Sequence, residues 1–156
     1  MRKKTIAESV TVLSEVMMPM DANHYGSIHG GMILKLADEA AFVAATKHAR
    51  KNVVVVSMDH MEFKHPVNVG DLLTLCASIY HVSRTSMDVE VKIKAEKIKE
   101  AKTVEVGSAY LTMVALDKQG RPTPVPGLIL RTAEEIKKNK EIKLRRERRI
   151  AHLRIK

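Results

Sequence analysis

In NHYGSIHGGMILKLADEAA, residues 23–41, a polar, glycine-bearing loop gives way to a helical pattern at Gly30-Gly31. Apolar residues recur at Met32, Ile33, Leu36, Ala40 and Val43, close to a 3.6-residue period, which predicts a helix from about Gly30 to Arg50. Ala37, Ala40, Ala41, Ala44 and Ala45 keep this helix thin on several sides, so a curving sheet can lie close against it. The first amides of a helix have no intrahelical partner, and the helix dipole adds positive potential there. Glycine lets another group approach those amides, so the start can bind an anion or polarise a carbonyl whose oxygen gains charge. Asp38 lies seven residues beyond Gly31 and shares its helix face, whereas Glu39 is rotated about 100° away. An electrophile held at the Gly31 amide would then have a carboxylate in reach, able to attack it or to activate a water. The plainer alternative is close packing for the glycines and dipole compensation for the acid.

The flanking sequence supplies strands. SVTVLSEVM, residues 9–17, precedes the loop from Pro19 to His29. After the helix, NVVVVSMDHMEF is a β-branched run passing into alternation, and DLLTLCASIYHV follows the turn at Gly70-Asp71. SMDVEVKIKAEKI alternates most clearly, with Met87, Val89, Val91, Ile93 and Ala95 on one face and Asp88, Glu90, Lys92 and Lys94 on the other. TVEVGSAYLTMVAL returns after a short polar turn near Lys99 to Lys102, and such short connections imply antiparallel neighbours. TAEEIKK carries a capping-box pattern with Thr132 as N-cap and Glu135 three residues on, predicting a C-terminal helix. The expected class is α+β, a curved antiparallel sheet wrapped around one long central helix, plus the C-terminal helix. The sheet's outer face and exposed edges would still need cover, for which oligomerisation is the usual answer. Residues 1–130 form the expected domain and 131–156 a basic helix or tail.

A chain of 156 residues supports one domain with a real core. Aromatics are only 3%, so Val, Ile, Leu, Ala and Met must build that core. Net charge is +9, but residues 137–156 hold ten Lys or Arg and two Glu, so the other 136 residues carry only +1. Any polyanionic partner therefore concerns the tail. Its readings, in order, are a solvated helix, a supplement to phosphate binding, and a nucleic-acid contact, the last opposed by the scarcity of stacking aromatics. A single cysteine, Cys76, excludes an intramolecular disulfide framework and fits a reducing compartment, and its place in an apolar strand suggests a small core residue. MRKKTIAESVTVL lacks the apolar stretch of a secretory signal, and no apolar run is long enough to span a bilayer. A soluble cytoplasmic protein is expected, with no membrane partner.

Four blocks, DANHYGSIHGGMILKLADEAA, VVVVSMDHMEFKHPVNVGDLLTL, SRTSMDVEV and YLTMVALDKQGRPTPVPGL, resemble, in order and spacing, the hotdog-fold acyl-CoA thioesterases of the cytosolic acyl-CoA hydrolase class. The resemblance covers about residues 8–130, and the basic tail is also similar. It implies hydrolysis of acyl-CoA to free acid and CoA, with no metal or redox cofactor. It implies that the Gly31 amide polarises the thioester carbonyl and that Asp38 is nucleophile or general base. Asn23, in a D-x-N-x-x-G pattern, would orient the water or thioester from across a dimer interface. The site would then combine Asn23 of one subunit with Asp38 of another, in a hotdog dimer that assembles further as a trimer of dimers, a hexamer. Gly30 joins the substrate-binding start of the helix and His29 has a positioning role. The resemblance also implies that the strand carrying Ser57 lines the acyl channel and that its backbone binds the pantetheine arm. SRTSM, with Arg84 and Ser86, would meet the nucleotide end of CoA.

Other chemistries find less support. Ser57 has no G-x-S-x-G elbow around it. The histidine pairs His24/His29 and His60/His65 are spaced by five and make neither a four-ligand set nor H-E-x-x-H, so no metal is expected. A hotdog dehydratase would pair an Asp with a His in a motif that is absent. The main alternative is a non-catalytic acyl-CoA-binding regulatory module whose basic tail contacts a partner.

Overall fold

The computed structural model describes residues 1–59 and 61–155. In chain order the elements are β1 (Lys4–Thr5), β2 (Thr11–Val16), α1 (Gly30–Ala49), β3 (Asn52–Asp59), β4 (Leu72–Val82), β5 (Ser86–Lys97), β6 (Lys102–Leu116), β7 (Leu128–Ile129) and α2 (Ala133–Ile155). Five strands form one antiparallel sheet in the order β2-β4-β5-β6-β3, and β1 pairs with β7 in a small parallel ladder. That ladder escapes sequence patterning because two residues are too few to alternate.

The sheet wraps α1. Ala37, Ala40, Ala41, Ala44 and Ala45 are fully buried, and the inward residues Met87, Val89, Val91, Ile93 and Ala95 of β5 are the expected face. Register shifts at Val55/Ser57, Ile79/His81 and Ile93/Lys94 bend the strands, as bulges do. Cys76 departs from expectation: Leu73, Leu75 and Ala77 are the inward residues of β4, so Cys76 is half-buried on the outer face with Leu72 and Thr74. The run LLTLCA is apolar at nearly every position, so its alternation does not announce which face is core. Strand β3 also ends early, at Asp59, and Met61 to Phe63 leave the sheet.

The capping box forms at the start of α2, where the Glu135 amide donates to Thr132 Oγ1 at 3.1 Å and the Thr132 amide to the Glu135 carboxylate at 3.3 Å. The basic helix that follows is not simply solvated. It lies on the outer face, where Lys138 pairs with Glu90 at 2.8 Å and Arg146 with Asp88 at 3.0 Å. Both acids are buried. Burial pushes the Asp88 carboxyl up, but bonds from His81, Thr112 and Arg146 outweigh it and hold it below the ordinary aspartate range.

At the C-terminal end of α1, His48 is fully buried and bonds the Pro126 carbonyl at 2.7 Å. A carbonyl only accepts, so Nε2 carries the proton, and the bare Nδ1 has no partner among the described residues. Burial pushes the His48 pKa down, only partly opposed by the bond to Pro126. As pH falls below about 6.5 the unfolded chain takes up a proton that the folded imidazole refuses, so stability falls. Thermal melts between pH 7 and pH 5 should show wild type losing stability with a steeper slope than His48→Gln, which keeps an amide donor for Pro126. Equal slopes would remove His48 as the cause.

Candidate active site

The loop before α1 is shaped by Asn23. Its Oδ1 accepts from the Tyr25 amide at 2.9 Å and the Ser27 amide at 3.3 Å, and its own amide donates to the Ser27 carbonyl at 2.7 Å. This is an Asx-type turn. The side-chain amide nitrogen of Asn23 has no partner among the described residues. His29 is the residue before the helix, in extended backbone geometry, and contributes no side-chain cap. Its carbonyl accepts from the Met32 and Ile33 amides, so the Gly30 and Gly31 amides stand ahead of the first intrahelical bond. A methyl group on Gly31 would meet nothing within 4 Å, which makes this end of the helix open to a ligand.

One and two turns further in, Lys35 and Glu39 form an exposed i,i+4 pair at 4.0 Å. Asp38 is half-buried and takes part in no ion pair or hydrogen bond among the described residues. Its carboxylate is thus not occupied by the fold. Phe42, one turn beyond Asp38, is 47% exposed, and Val54, Val55, Val56 and Met58 on edge strand β3 are exposed as well. Phe42, four residues on, sets apolar surface on the same helix face as that carboxylate.

A cavity of about 210 Å³ adjoins the helix start, lined by Ser27, Ile28, Gly30, Ile33, Phe63 and His65, among others. Phe63 is the residue nearest a methyl group built on Gly30, at 3.4 Å. The segment carrying Phe63 is held down by backbone contact, the Lys64 amide bonding the Val106 carbonyl at 2.8 Å. At Gly107 a Cβ would stand 2.2 Å from the Glu62 carbonyl oxygen, so only glycine permits this crossing. Phe63 does not stand out in the sequence, because MEF continues the strand-like pattern of β3. The glycine interrupting the otherwise regular β6 pattern was the available signal. His60 lies outside the described residues.

The remaining sequence-derived residues lie elsewhere in the protomer. The helix start is joined to the beginning of β4 through the Ile28 amide on the Val67 carbonyl and the Ser27–Asn68 bridge. Arg84 and Ser86 lie beyond the other end of β4, eleven residues or about 35 Å along an extended strand. There the Arg84 carbonyl bonds Val125, on the segment that reaches His48. Arg84 is exposed and Ser86 is buried. Ser57 bonds Arg149 of α2 at 3.0 Å. One protomer therefore places Asn23, His29, Gly30 and Gly31 at one end of α1, with Asp38 two turns further along the helix, and leaves Arg84 and Ser86 at the other end. Among the described residues no group of three or more His, Cys, Asp or Glu is placed to hold a metal.

A model of the thioesterase superfamily matches residues 25–102, which include the whole of α1. The VdlD protein of Helicobacter pylori is 38% identical over 138 residues, covering 88% of this chain and 79% of its own.

This chain belongs to the thioesterase superfamily.

Within that superfamily, an acyl-CoA hydrolase structure from Bacillus cereus is 35% identical and superposes with a TM-score of 0.92 over 98% of this chain and 92% of its own. The structure of an apo-hexameric acyl-CoA thioesterase, 34% identical, gives a TM-score of 0.95 over the full length of both chains. The rat cytosolic acyl coenzyme A thioester hydrolase is 33% identical over 139 residues, and there the match covers 88% of this chain but only 36% of the relative. The curved sheet around α1 is the hotdog fold that the sequence resemblance implied. No helix among the described residues is long and apolar enough to cross a membrane.

Gly107→Ala should lower stability by about 1–3 kcal/mol, the usual cost of forcing backbone apart at a close contact. Urea denaturation measures it. A variant as stable as wild type would mean that the Glu62 carbonyl does not lie against β6.

Proposed function

We propose that this protein hydrolyses acyl-CoA thioesters to a free carboxylic acid and CoA. The observation that carries the reading is the pairing of a half-buried, unoccupied carboxylate, Asp38, with an open helix start at Gly31 seven residues earlier. The Gly31 amide donates to the thioester carbonyl oxygen and stabilises the negative charge that develops there when the carbonyl is attacked. Asp38 supplies the attack, either directly, forming an anhydride that water then opens, or by taking a proton from water as it adds. In both routes the C–S bond breaks and CoA leaves as the thiol. No metal or redox cofactor is called for.

Relatives support the substrate class. The Staphylococcus aureus acyl-CoA hydrolase, 33% identical with a TM-score of 0.89, was solved with butyryl coenzyme A and coenzyme A. Structures of it also exist with an Asn and with an Asp replaced by Ala, fifteen positions apart. Asn23 and Asp38 have that same separation.

The active form is an oligomer in which the exposed edge of β3 pairs with its counterpart, making a hotdog dimer, and dimers associate in threes. Exposed valines on an unpaired edge strand call for such cover. Asn23 then acts with Asp38 of another subunit, orienting the water or thioester through its unpartnered amide nitrogen. Gly30 and His29 border the thioester, and Ser57 belongs to the strand along the acyl and pantetheine path. Arg84 and Ser86, remote from Gly31 in one protomer, reach the nucleotide end of CoA from a neighbouring subunit.

Free-thiol release from an acyl-CoA series, acetyl to palmitoyl, tests the reaction. Asp38→Asn should reduce turnover at least 100-fold while circular dichroism and the melting temperature stay near wild type. Retained turnover would sink the assignment of Asp38. Val56→Lys, placing a charge at the β3 bulge on the exposed edge, should shift elution on size exclusion toward smaller species. An unchanged elution volume would count against the edge pairing.

A further inference from the structure

The basic stripe of α2 raises a charge question that the acyl site does not absorb. Residues 138, 141, 142, 145, 148 and 149 recur at intervals of three and four, so they share one face of the helix. That face looks along the outer side of the sheet and borders a cavity of about 630 Å³ between α2, the end of β3 at Asp59 and the middle of β6 at Tyr110. The volume is within the range of small-molecule sites.

Two of the four cations there are already matched. Lys138 is committed to the buried carboxylate of Glu90 at 2.8 Å. Arg145 lies 3.7 Å from Asp59 and stacks over the Tyr110 ring, 3.9 Å from its centre. Arg148 and Arg149 meet no carboxylate among the described residues. Arg149 spends one nitrogen on two neutral hydroxyls, Ser57 Oγ at 3.0 Å and Thr112 Oγ1 at 2.9 Å, which hold the guanidinium in place without cancelling its charge. The cavity wall holds two carboxylates: Asp59, which faces Arg145, and Glu141, which is 4.0 Å from Lys138. The surplus is therefore positive and carried by planar forks, one of them fixed in position. Such forks match the oxygen spacing of a phosphate group and accept its charge by paired hydrogen bonds. The rest of the wall includes Ile142 and Leu144, which suits a ligand with a non-polar or flat body beyond its phosphate.

We propose that the groove between α2 and the sheet is a second binding site, for a phosphorylated small molecule held by Arg148 and Arg149, separate from the acyl site at Gly31 and Asp38. The two sites lie on opposite faces of the sheet, since α1 fills the concave side and α2 covers the outer one. Arg149 is the physical link between them: its hydroxyl partner Ser57 sits beside the register shift in β3, the strand whose edge and face border α1.

Inorganic pyrophosphate is the probe, applied to the full-length protein in its native assembly and compared with sodium chloride at matched ionic strength. At ten times its apparent Kd, pyrophosphate should raise the melting temperature of wild type by about 3 °C. Arg148→Glu, which breaks no bond seen among the described residues, should lose that rise. Lys143→Glu, an equal charge change at an exposed position of α2 outside the cavity, should keep it. The KM for acyl-CoA in Arg148→Glu should stay within about twofold of wild type. No rise in wild type, or an equal rise in Arg148→Glu, overturns the site. A KM raised fivefold or more in Arg148→Glu, with pyrophosphate competing against acyl-CoA, assigns the groove to the phosphates of CoA itself and overturns a separate site. The melting experiment reads independently of turnover, so an absence of hydrolysis would leave it decisive.

Discussion

Everything in this structure depends on how closely α1 can approach the sheet. Five alanines with no solvent exposure form the middle of its buried surface, between Ile33 and Leu36 at one end and His48 and Ala49 at the other, and the inward faces of β4, β5 and β6 close on them with Leu, Ile, Val and Met. Alanine removes the side-chain layer that would hold a flat sheet at a distance, and it favours the helix at the same time. The sheet can then curve around the helix, with bulges supplying the bend. Enlarging one of these alanines would force helix and strands apart along their whole contact, because a packed interior has no spare volume. The close fit also fixes where the two ends of α1 emerge. One end presents Gly30 and Gly31 beside the loop from Asn23. The other is locked by His48 on Pro126 and by Lys4 on the last helical carbonyls.

The outer face of the sheet is governed by charge. Asp88 and Glu90 point away from α1 by simple alternation, and left in place without partners they would be buried acids of high cost once α2 covers them. The helix supplies Arg146 and Lys138 at those points. Pairs of this kind contribute little net stability, because desolvation offsets most of the attraction. Their effect is on position: α2 has few apolar residues facing inward, with Ile142 the buried one, so the acids determine where it rests. Partial burial beside α2 pushes the Tyr80 and Tyr110 hydroxyls up.

The two faces of the sheet thus divide the work. The concave face holds the helix that carries Asp38, and the outer face holds the helix that neutralises the sheet's acids. Strand β3 takes part in both. Its residues follow α1 on one side, its Ser57 hydroxyl is held by α2 on the other, and its free edge exposes valines to solvent or to another copy. A thioesterase site assembled at such an edge can place groups from several subunits around one substrate, which a site enclosed within a single chain cannot.

The amino-acid sequence by itself determined the period and limits of α1, the face of β5 turned inward, the capping box of α2 and the relation of Gly31 to Asp38. All of these are local: they follow from a helical or strand repeat, or from a residue paired with another three or seven positions away. What the sequence left open is what distance in the chain conceals. Apolar residues at nearly every position of β4 could not say that Cys76 faces outward. The charges of residues 137–156 could not say that they answer Asp88 and Glu90, some fifty residues earlier, because an ion pair needs only proximity in space. Nor could the strand-like MEF reveal that Phe63 crosses to Gly30, a turn made possible by the missing side chain of Gly107. Only the tertiary structure decided these, since each depends on two surfaces meeting after the sheet has closed around its helix.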